Sequence, residues 1–219
     1  MKQIKYKITQ EGNIINVFTN DHIENAENTI LFIGVVHGDE PEGEELIIKQ
    51  IEKIKHDINL FSKNRLIFIP CLNPDGKELG TRTNANGVDL NRNFPTKNWE
   101  KSSIKDRYYS GDTAASEIET NLLIELISEE KPNIIITLHT PFKIVNFDGP
   151  AEDISKTVSK LTGYPLQNDI GYPTPGSFGT YCGIERKIPT LTIEMPDDTC
   201  ISTLWQQMEQ SFDYLCKIV

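Results

Sequence analysis

The sequence predicts an α/β fold with a mixed, mostly parallel central sheet and helices on both faces. Short apolar runs alternate along the chain with longer helical patterns, which is typical of strands connected by helices. The run at residues 29–36 is continuously apolar, as expected for a strand buried on both faces of a parallel sheet. In such a sheet the functional site lies beyond the carboxyl ends of the strands, at a topological switch.

The other elements follow from the same patterns. Strands are predicted at residues 4–8, 14–18, 65–70, 133–138, 143–147 and 190–194, and the first two form a hairpin around Gly12-Asn13. Helices are predicted at residues 41–58, 114–130, 151–162 and 201–218. Two stretches rich in Gly and Pro, residues 73–113 and 171–183, are predicted to be ordered loops, which compact domains usually keep for function.

Composition limits the function classes. The length of 219 residues predicts one domain, residues 1–219, and the net charge of −10 disfavours nucleic acid and anionic membranes as partners. No apolar run approaches the roughly 20 residues of a membrane span. The four cysteines are far apart and the N-terminus lacks the pattern of a secretory signal, so the sequence predicts a cytoplasmic protein with reduced thiols.

Three residues at predicted strand ends are candidate zinc ligands. His37 and Glu40 lie three residues apart at a strand-to-helix turn, where both can face one ion. His139 ends another apolar strand and is the natural third ligand. A catalytic zinc has three protein ligands of these types and one open position. For the short His-Glu motif alone, a purely structural pair is the alternative interpretation.

Further polar residues suggest chemistry around such an ion. Glu194 ends an apolar strand, where a carboxylate loses solvation unless a cation or donors lie nearby. Beside zinc it can act as a general base, whereas on an edge strand it would only face water. Arg82, Asn91 and Arg92 belong to the first long loop and suit an anionic amide substrate, although a salt-bridged loop is the alternative.

Together these pieces resemble the zinc metallocarboxypeptidases, the carboxypeptidase A-like peptidases. The matching motifs, in the order of the family, are His37-x-x-Glu40, Asn73-Pro74-Asp75-Gly76, Arg82, Asp89-Leu90-Asn91-Arg92-Asn93-Phe94, Leu138-His139 and Thr192-Ile193-Glu194. The resemblance implies a zinc carboxypeptidase-like, phosphorylase/hydrolase-like fold. It also implies one Zn²⁺ per chain held by His37, Glu40 and His139, with Glu194 as the general base.

The resemblance assigns substrate contacts as well. Arg82 would polarise the scissile carbonyl, and Asn91 with Arg92 would bind the carboxylate of the residue on the leaving side. Tyr172 stands where the family has a mobile tyrosine that caps the substrate. Family members that prefer Lys or Arg carry an acid about 15 positions before the general base. Residues 176–181 contain none, which disfavours a carboxypeptidase for basic residues.

Four stretches, residues 37–43, 80–87, 146–150 and 171–177, resemble the bacterial murein peptide amidase branch. That branch implies hydrolysis of the γ-D-glutamyl–meso-diaminopimelate bond of murein tripeptide, a small peptide substrate, during cell-wall recycling. The alternatives are an aspartoacylase-like deacylase of small N-acyl amino acids, a general metallocarboxypeptidase, and a zinc-free binding module.

Overall fold

An eight-stranded mixed sheet forms the centre of the computed structural model, which describes residues 1–20, 26–57, 61, 63–104, 106–168 and 171–218. The strands are β1 (Lys2–Ile8), β2 (Ile14–Thr19), β3 (Thr29–Ile33), β4 (Arg65–Ile69), β5 (Ile134–His139), β6 (Ile144–Asp148), β7 (Leu166–Gln167) and β8 (Thr190–Glu194). Their order in the sheet is β1-β2-β4-β3-β5-β8-β6-β7. Strands β4, β3, β5 and β8 are parallel, while β2 and β6 flank them antiparallel. The predicted mixed, mostly parallel sheet is therefore confirmed.

Helices cover both faces of this sheet. They are α1 (Glu42–His56), α2 (Pro74–Leu79), α3 (Ile118–Glu130), α4 (Glu152–Thr162) and α5 (Ile201–Lys217). Phe32 of β3 shares one apolar cluster with α1, α4 and α5, and its ring stacks on Phe68 and Phe212 at 5.0 and 5.8 Å. Leu31 points the opposite way, into a second cluster with α3. This alternation buries both faces of β3 and explains its continuous apolar run.

Several element bounds differ from those predicted. The first loop contains α2 and a short 3-10 turn, Leu90–Arg92. Helix α3 begins at Ile118, four residues later than predicted. The segment before it is held by Asn93, whose backbone carbonyl accepts from Ala115 N (2.6 Å) and whose Oδ1 accepts from Glu117 N (3.2 Å). Helix α1 is described to His56, and Ile58, its predicted end, lies outside the described residues.

Two further features were absent from the prediction. The two-residue strand β7 pairs with β6, and the second loop ends in a wide helical turn, Thr180–Ile184. Among the described helices, none has both the length and the apolar character that crossing a membrane requires.

The loop between α2 and α3 is anchored on buried acids at the start of α3. Asn84 Nδ2 donates to Glu117 Oε2 at 2.7 Å and lies 3.3 Å from Glu119 Oε2. The amide oxygen of Asn84 accepts from Val88 N at 3.1 Å, so one side chain fixes the middle of the loop. Burial raises the pKa of Glu119 to about 7, because its charged form loses solvation.

We expect Glu119→Gln to change how stability depends on pH. The raised pKa means that the stability from this group is fully present below about pH 4.5 and is lost as pH rises through about 7. Gln cannot ionise, so the free energy of unfolding of the variant should rise relative to wild type by about 2–3 kcal/mol between pH 5 and pH 8.5. Urea unfolding at both pH values measures this, with the exposed Glu45→Gln as control. A difference that is the same at both pH values would contradict the prediction.

Candidate metal centre and substrate cleft

The predicted site residues converge at a topological switch of the sheet. From β3 the sheet continues to β4 on one side and to β5 on the other, all three parallel. His37 follows the carboxyl end of β3, and His139 is the last residue of β5. Glu194 is the last residue of β8 and lies opposite His139 in the register. The location expected from the fold class is thus the observed one.

The turn after β3 is shaped by close backbone packing. Val35 has a left-handed conformation with φ of 50°, which bends the chain away from the strand. A Cβ at Gly38 would lie 2.0 Å from the backbone carbon of Gly76, so only glycine allows α2 to approach the turn. The turn therefore presents His37 and Glu40 on the side facing β5.

The three predicted metal ligands form one buried group. Glu40 Oε1 lies 2.8 Å from His37 Nδ1, and Glu40 Oε2 lies 2.8 Å from His139 Nδ1. The Nδ1 atoms of the two imidazoles are 3.2 Å apart. Burial would raise the pKa of Glu40, but the two imidazoles hold it well below its usual value. All three candidate ligand atoms lie within 4.8 Å of one another.

Asp89 connects this group to the loop that carries the arginines. Its carboxylate is completely buried; Oδ1 lies 3.2 Å from His37 Nε2, and Oδ2 accepts from Arg82 Nε at 2.9 Å. Burial opposes its charge, yet His37 and Arg82 keep the pKa of Asp89 well below the usual range. A carboxylate on the far nitrogen of a metal-binding histidine fixes the ring and its tautomer. Asp89 was not among the predicted site residues, although it is the first residue of the Asp89–Phe94 motif.

Glu194 has the character expected of an acid–base group. Its Oε2 is buried and has no hydrogen-bond partner among the described residues. Burial raises the pKa of Glu194, which brings it closer to the neutral range in which proton transfer in both directions is efficient.

The donor set fits Zn²⁺. Two imidazole nitrogens and one carboxylate are the ligand types of a catalytic zinc, and their atoms are already grouped. The unpartnered Glu194 Oε2 lines the same cleft and leaves an acceptor for a molecule bound there.

Arg82, Asn91 and Arg92 all line this cleft, as predicted. Besides its contact with Asp89, Arg82 Nη1 lies 3.5 Å from Glu40 Oε1. The predicted donor to the oxyanion therefore contacts one of the candidate metal ligands. Asn91 Oδ1 accepts from Phe178 N at 2.8 Å, so its amide hydrogens remain available to a ligand. Arg92 Nη1 donates to the Asn91 carbonyl at 2.7 Å, which holds its guanidinium in place.

The cleft has a volume of about 440 Å³, and half-exposed Tyr172 lies at its rim. The structure thus brings Tyr172 to the same cleft, while its role as a capping residue stays a prediction. A larger groove of about 700 Å³ between β2 and α1 contains none of the predicted site residues.

The cleft also holds an acid that the sequence analysis missed. Asp148, at the end of β6, lines the cleft and has no hydrogen-bond or ion-pair partner among the described residues. Burial raises the pKa of Asp148. Its Oδ2 would lie only 2.0 Å from a Cβ at position 179, so the close approach of Asp148 requires glycine there. Residues 176–181 contain no acid, and this carboxylate reaches the cleft from β6 instead.

Hydrolysis of an amide bond with zinc requires metal ligands, an acid–base group and donors for an oxyanion. The cleft offers residue types for each of these needs, which defines a zinc-dependent peptide hydrolase. Residues 4–160 match the family model described as zinc carboxypeptidase. The chain belongs to the zinc carboxypeptidase family, is a metallopeptidase-type hydrolase and depends on zinc. The aspartoacylase-like alternative is thereby set aside.

Named relatives agree with this assignment. Murein peptide amidase A of Vibrio campbellii is 35% identical over 196 residues, which cover 82% of this chain and 74% of the relative. The Escherichia coli K12 protein of the same name is 37% identical over 137 residues, only 56% of its length. The crystal structure of murein-tripeptide amidase from Escherichia coli O157 has a TM-score of 0.75 at 26% identity, covering 96% of this chain and 89% of that one.

A more distant structure shares the fold alone. Carboxypeptidase A of Helicoverpa armigera has a TM-score of 0.80 at 17% identity and covers 94% of this chain and 64% of that one.

We expect Asp89→Asn to weaken zinc binding by about 10- to 100-fold, because the neutral amide no longer fixes the His37 ring. Zinc affinity is measured by competition with a chromogenic chelator. Asp112→Asn, which changes an exposed carboxylate of the same loop, serves as the neutral control, and His139→Ala sets the level expected for a missing ligand. Wild-type zinc affinity in Asp89→Asn would contradict a positioning role.

Proposed function

We propose that the chain is a cytoplasmic murein peptide amidase whose residues 1–219 form one catalytic domain. Its substrate would be murein tripeptide, cleaved at the γ-D-glutamyl–meso-diaminopimelate bond. The observation that carries this proposal is a cleft in which a zinc-type ligand group lies with both a guanidinium free of ion pairs and a partly buried carboxylate without a partner among the described residues. The relatives named murein peptide amidase A support the same substrate.

Arg92 and Asn91 are the proposed contacts of the carboxylate next to the scissile nitrogen. Arg92 forms no ion pair with a carboxylate in the described part of the chain, and its guanidinium is held by the Asn91 carbonyl. A fixed guanidinium matches a carboxylate with two parallel hydrogen bonds. The Asn91 amide, oriented by Phe178 N, adds a neutral donor.

Asp148 is the proposed contact of the side-chain ammonium of diaminopimelate. A carboxylate that is desolvated and unpaired gains most when a cationic group binds beside it. Asn146 and Thr192 line the same wall of the cleft and offer neutral polar partners. This placement suits a leaving residue that carries a carboxylate at one end and an ammonium at the other.

The proposed chemistry follows from the positions of the charged groups. Zinc bound by His37, Glu40 and His139 would supply Lewis acidity towards the scissile carbonyl and the attacking water. Glu194 would take a proton from that water and return it to the leaving nitrogen. Arg82, held by Asp89 and Glu40, would donate hydrogen bonds to the oxygen that becomes negative as water adds.

We expect Glu194→Gln to lower kcat by about 100-fold or more, because an amide cannot accept the proton. The fold and the zinc content should be retained, since Glu194 is not among the grouped ligand residues. Steady-state kinetics on the tripeptide and elemental analysis of the same sample test both statements. Near-normal turnover with full zinc would assign the base to another residue.

We expect the tripeptide to be hydrolysed well ahead of α-linked dipeptides ending in Phe or Lys. Arg92→Lys should lower kcat/KM about 10-fold or more even though it keeps the charge, because an ammonium lacks the two-pronged geometry. Mass spectrometry of the products identifies the bond cleaved, and Arg186→Lys, outside the cleft, is the matched control. Equal or faster release of Phe or Lys would make the chain a general carboxypeptidase and end the murein proposal.

A further inference from the structure

Three arginines surround the ring of Tyr108 at the wall of the cleft. The guanidinium carbons of Arg92, Arg82 and Arg107 lie 5.1, 5.3 and 5.9 Å from the ring centroid. These are distances at which an aromatic ring attracts a cation. All four side chains line the cleft, so one ring gathers three positive charges beside the metal ligands.

Carboxylates of the described residues balance only one of these three charges. Arg82 pairs with Asp89 and Glu40. Neither Arg92 nor Arg107 lies within ion-pair distance of a carboxylate in the ranges that the structure describes. Two neighbouring guanidinium groups repel each other unless anions lie between or beside them. The two unpaired charges therefore favour a ligand with two negative groups, whereas an ordinary C-terminal residue brings one.

The turn that carries Arg107 is attached to the backbone of Asp89 within the loop between α2 and α3. Tyr108 N donates to Asp106 Oδ1 at 2.9 Å, and the Tyr108 carbonyl accepts from Ser102 Oγ at 3.0 Å. The next carbonyl, that of Tyr109, accepts from Asp89 N at 2.8 Å. The same backbone that places Asp89 against His37 thus also sets the position of the turn.

On the basis of the proposed function, we propose that Arg107, whose guanidinium carbon lies 5.9 Å from the Tyr108 ring centroid, binds a second carboxylate of the substrate. Arg107 is then a specificity-determining residue, which selects substrates with two anionic groups over peptides with one. Murein tripeptide has two candidates for this contact besides the group assigned to Arg92. They are the free α-carboxylate of the γ-linked D-glutamate and the distal carboxylate of diaminopimelate.

The test compares Arg107→Gln with wild type on three peptides. These are the tripeptide, the tripeptide with the glutamate α-carboxylate amidated, and the tripeptide with the distal diaminopimelate carboxylate amidated. Lys101→Gln, which removes an exposed cation paired with Asp112 in the same loop, is the control for charge. Because Arg107 is exposed, we expect Arg107→Gln to fold like wild type. Zinc content and circular dichroism of the variant check this.

We expect Arg107→Gln to lower kcat/KM for the tripeptide about 10-fold, mainly by raising KM, because a charge-assisted hydrogen bond is lost. On one of the two amidated peptides, wild type and Arg107→Gln should have equal kcat/KM, and that peptide identifies the carboxylate. Lys101→Gln should match wild type on all three.

Two results would overturn the inference. One is equal kcat/KM of wild type and Arg107→Gln on the tripeptide. The other is the same loss on all three peptides, which would show an effect unrelated to a carboxylate. If wild type cleaves none of the peptides, the proposed function itself fails, so the two failures are distinguishable.

A second pair of variants tests the aromatic support. Tyr108→Phe keeps the ring and should retain the wild-type preference for the tripeptide over the amidated peptides. Tyr108→Leu removes the cation–π contact and should reduce that preference several-fold. Equal preferences in the two variants would contradict the role of the ring.

Discussion

The buried carboxylate of Asp89 determines how the site is built. One oxygen faces His37 and accepts from Asn91 N at 2.9 Å, and the other accepts from Arg82. Such a desolvated charge is tolerated only where cations or donors surround it. The loop between α2 and α3 supplies these donors from Arg82 and Asn91, so its conformation is fixed around Asp89. The candidate metal ligand His37, the proposed oxyanion donor Arg82 and the turn leading to Arg92 are consequently held by one group.

The sheet provides the complementary constraint. Because β3 and β5 are adjacent and parallel, His37 and His139 leave the same edge of the sheet although 102 positions separate them in the chain. The pairing of β8 with β5 then brings Glu194 to that edge. Strand order thus accounts for the positions of the candidate ligands and of Glu194, while the loop anchored by Asp89 accounts for the positions of Arg82 and Arg92.

The sequence predicted those features of the fold and the site that depend on local residue patterns and on the order of motifs along the chain. The strand ends carrying the metal ligands were predictable because a continuous apolar run identifies a buried strand, and motif order identified the loop arginines. Asp148 was not predicted, because its place in the cleft depends on β6 pairing antiparallel with β8 and on the close approach of Gly179. The late start of α3 was not predicted either, because it depends on a hydrogen bond from Glu117 N to Asn93, which lies 24 residues earlier in the chain.

The distribution of charge in the cleft has a consequence for selectivity. A carboxylate such as Asp148 attracts the ammonium of lysine as well as that of diaminopimelate, so it cannot separate the two leaving residues. They differ only by a distal carboxylate, and a guanidinium free of ion pairs is the group that detects such a difference. In a chain with a net charge of −10, keeping two such groups beside one tyrosine ring is a local exception. With the proposed contact of Arg107, selectivity for an anionic peptide would arise from the cleft wall and not from the overall charge, which would repel that peptide.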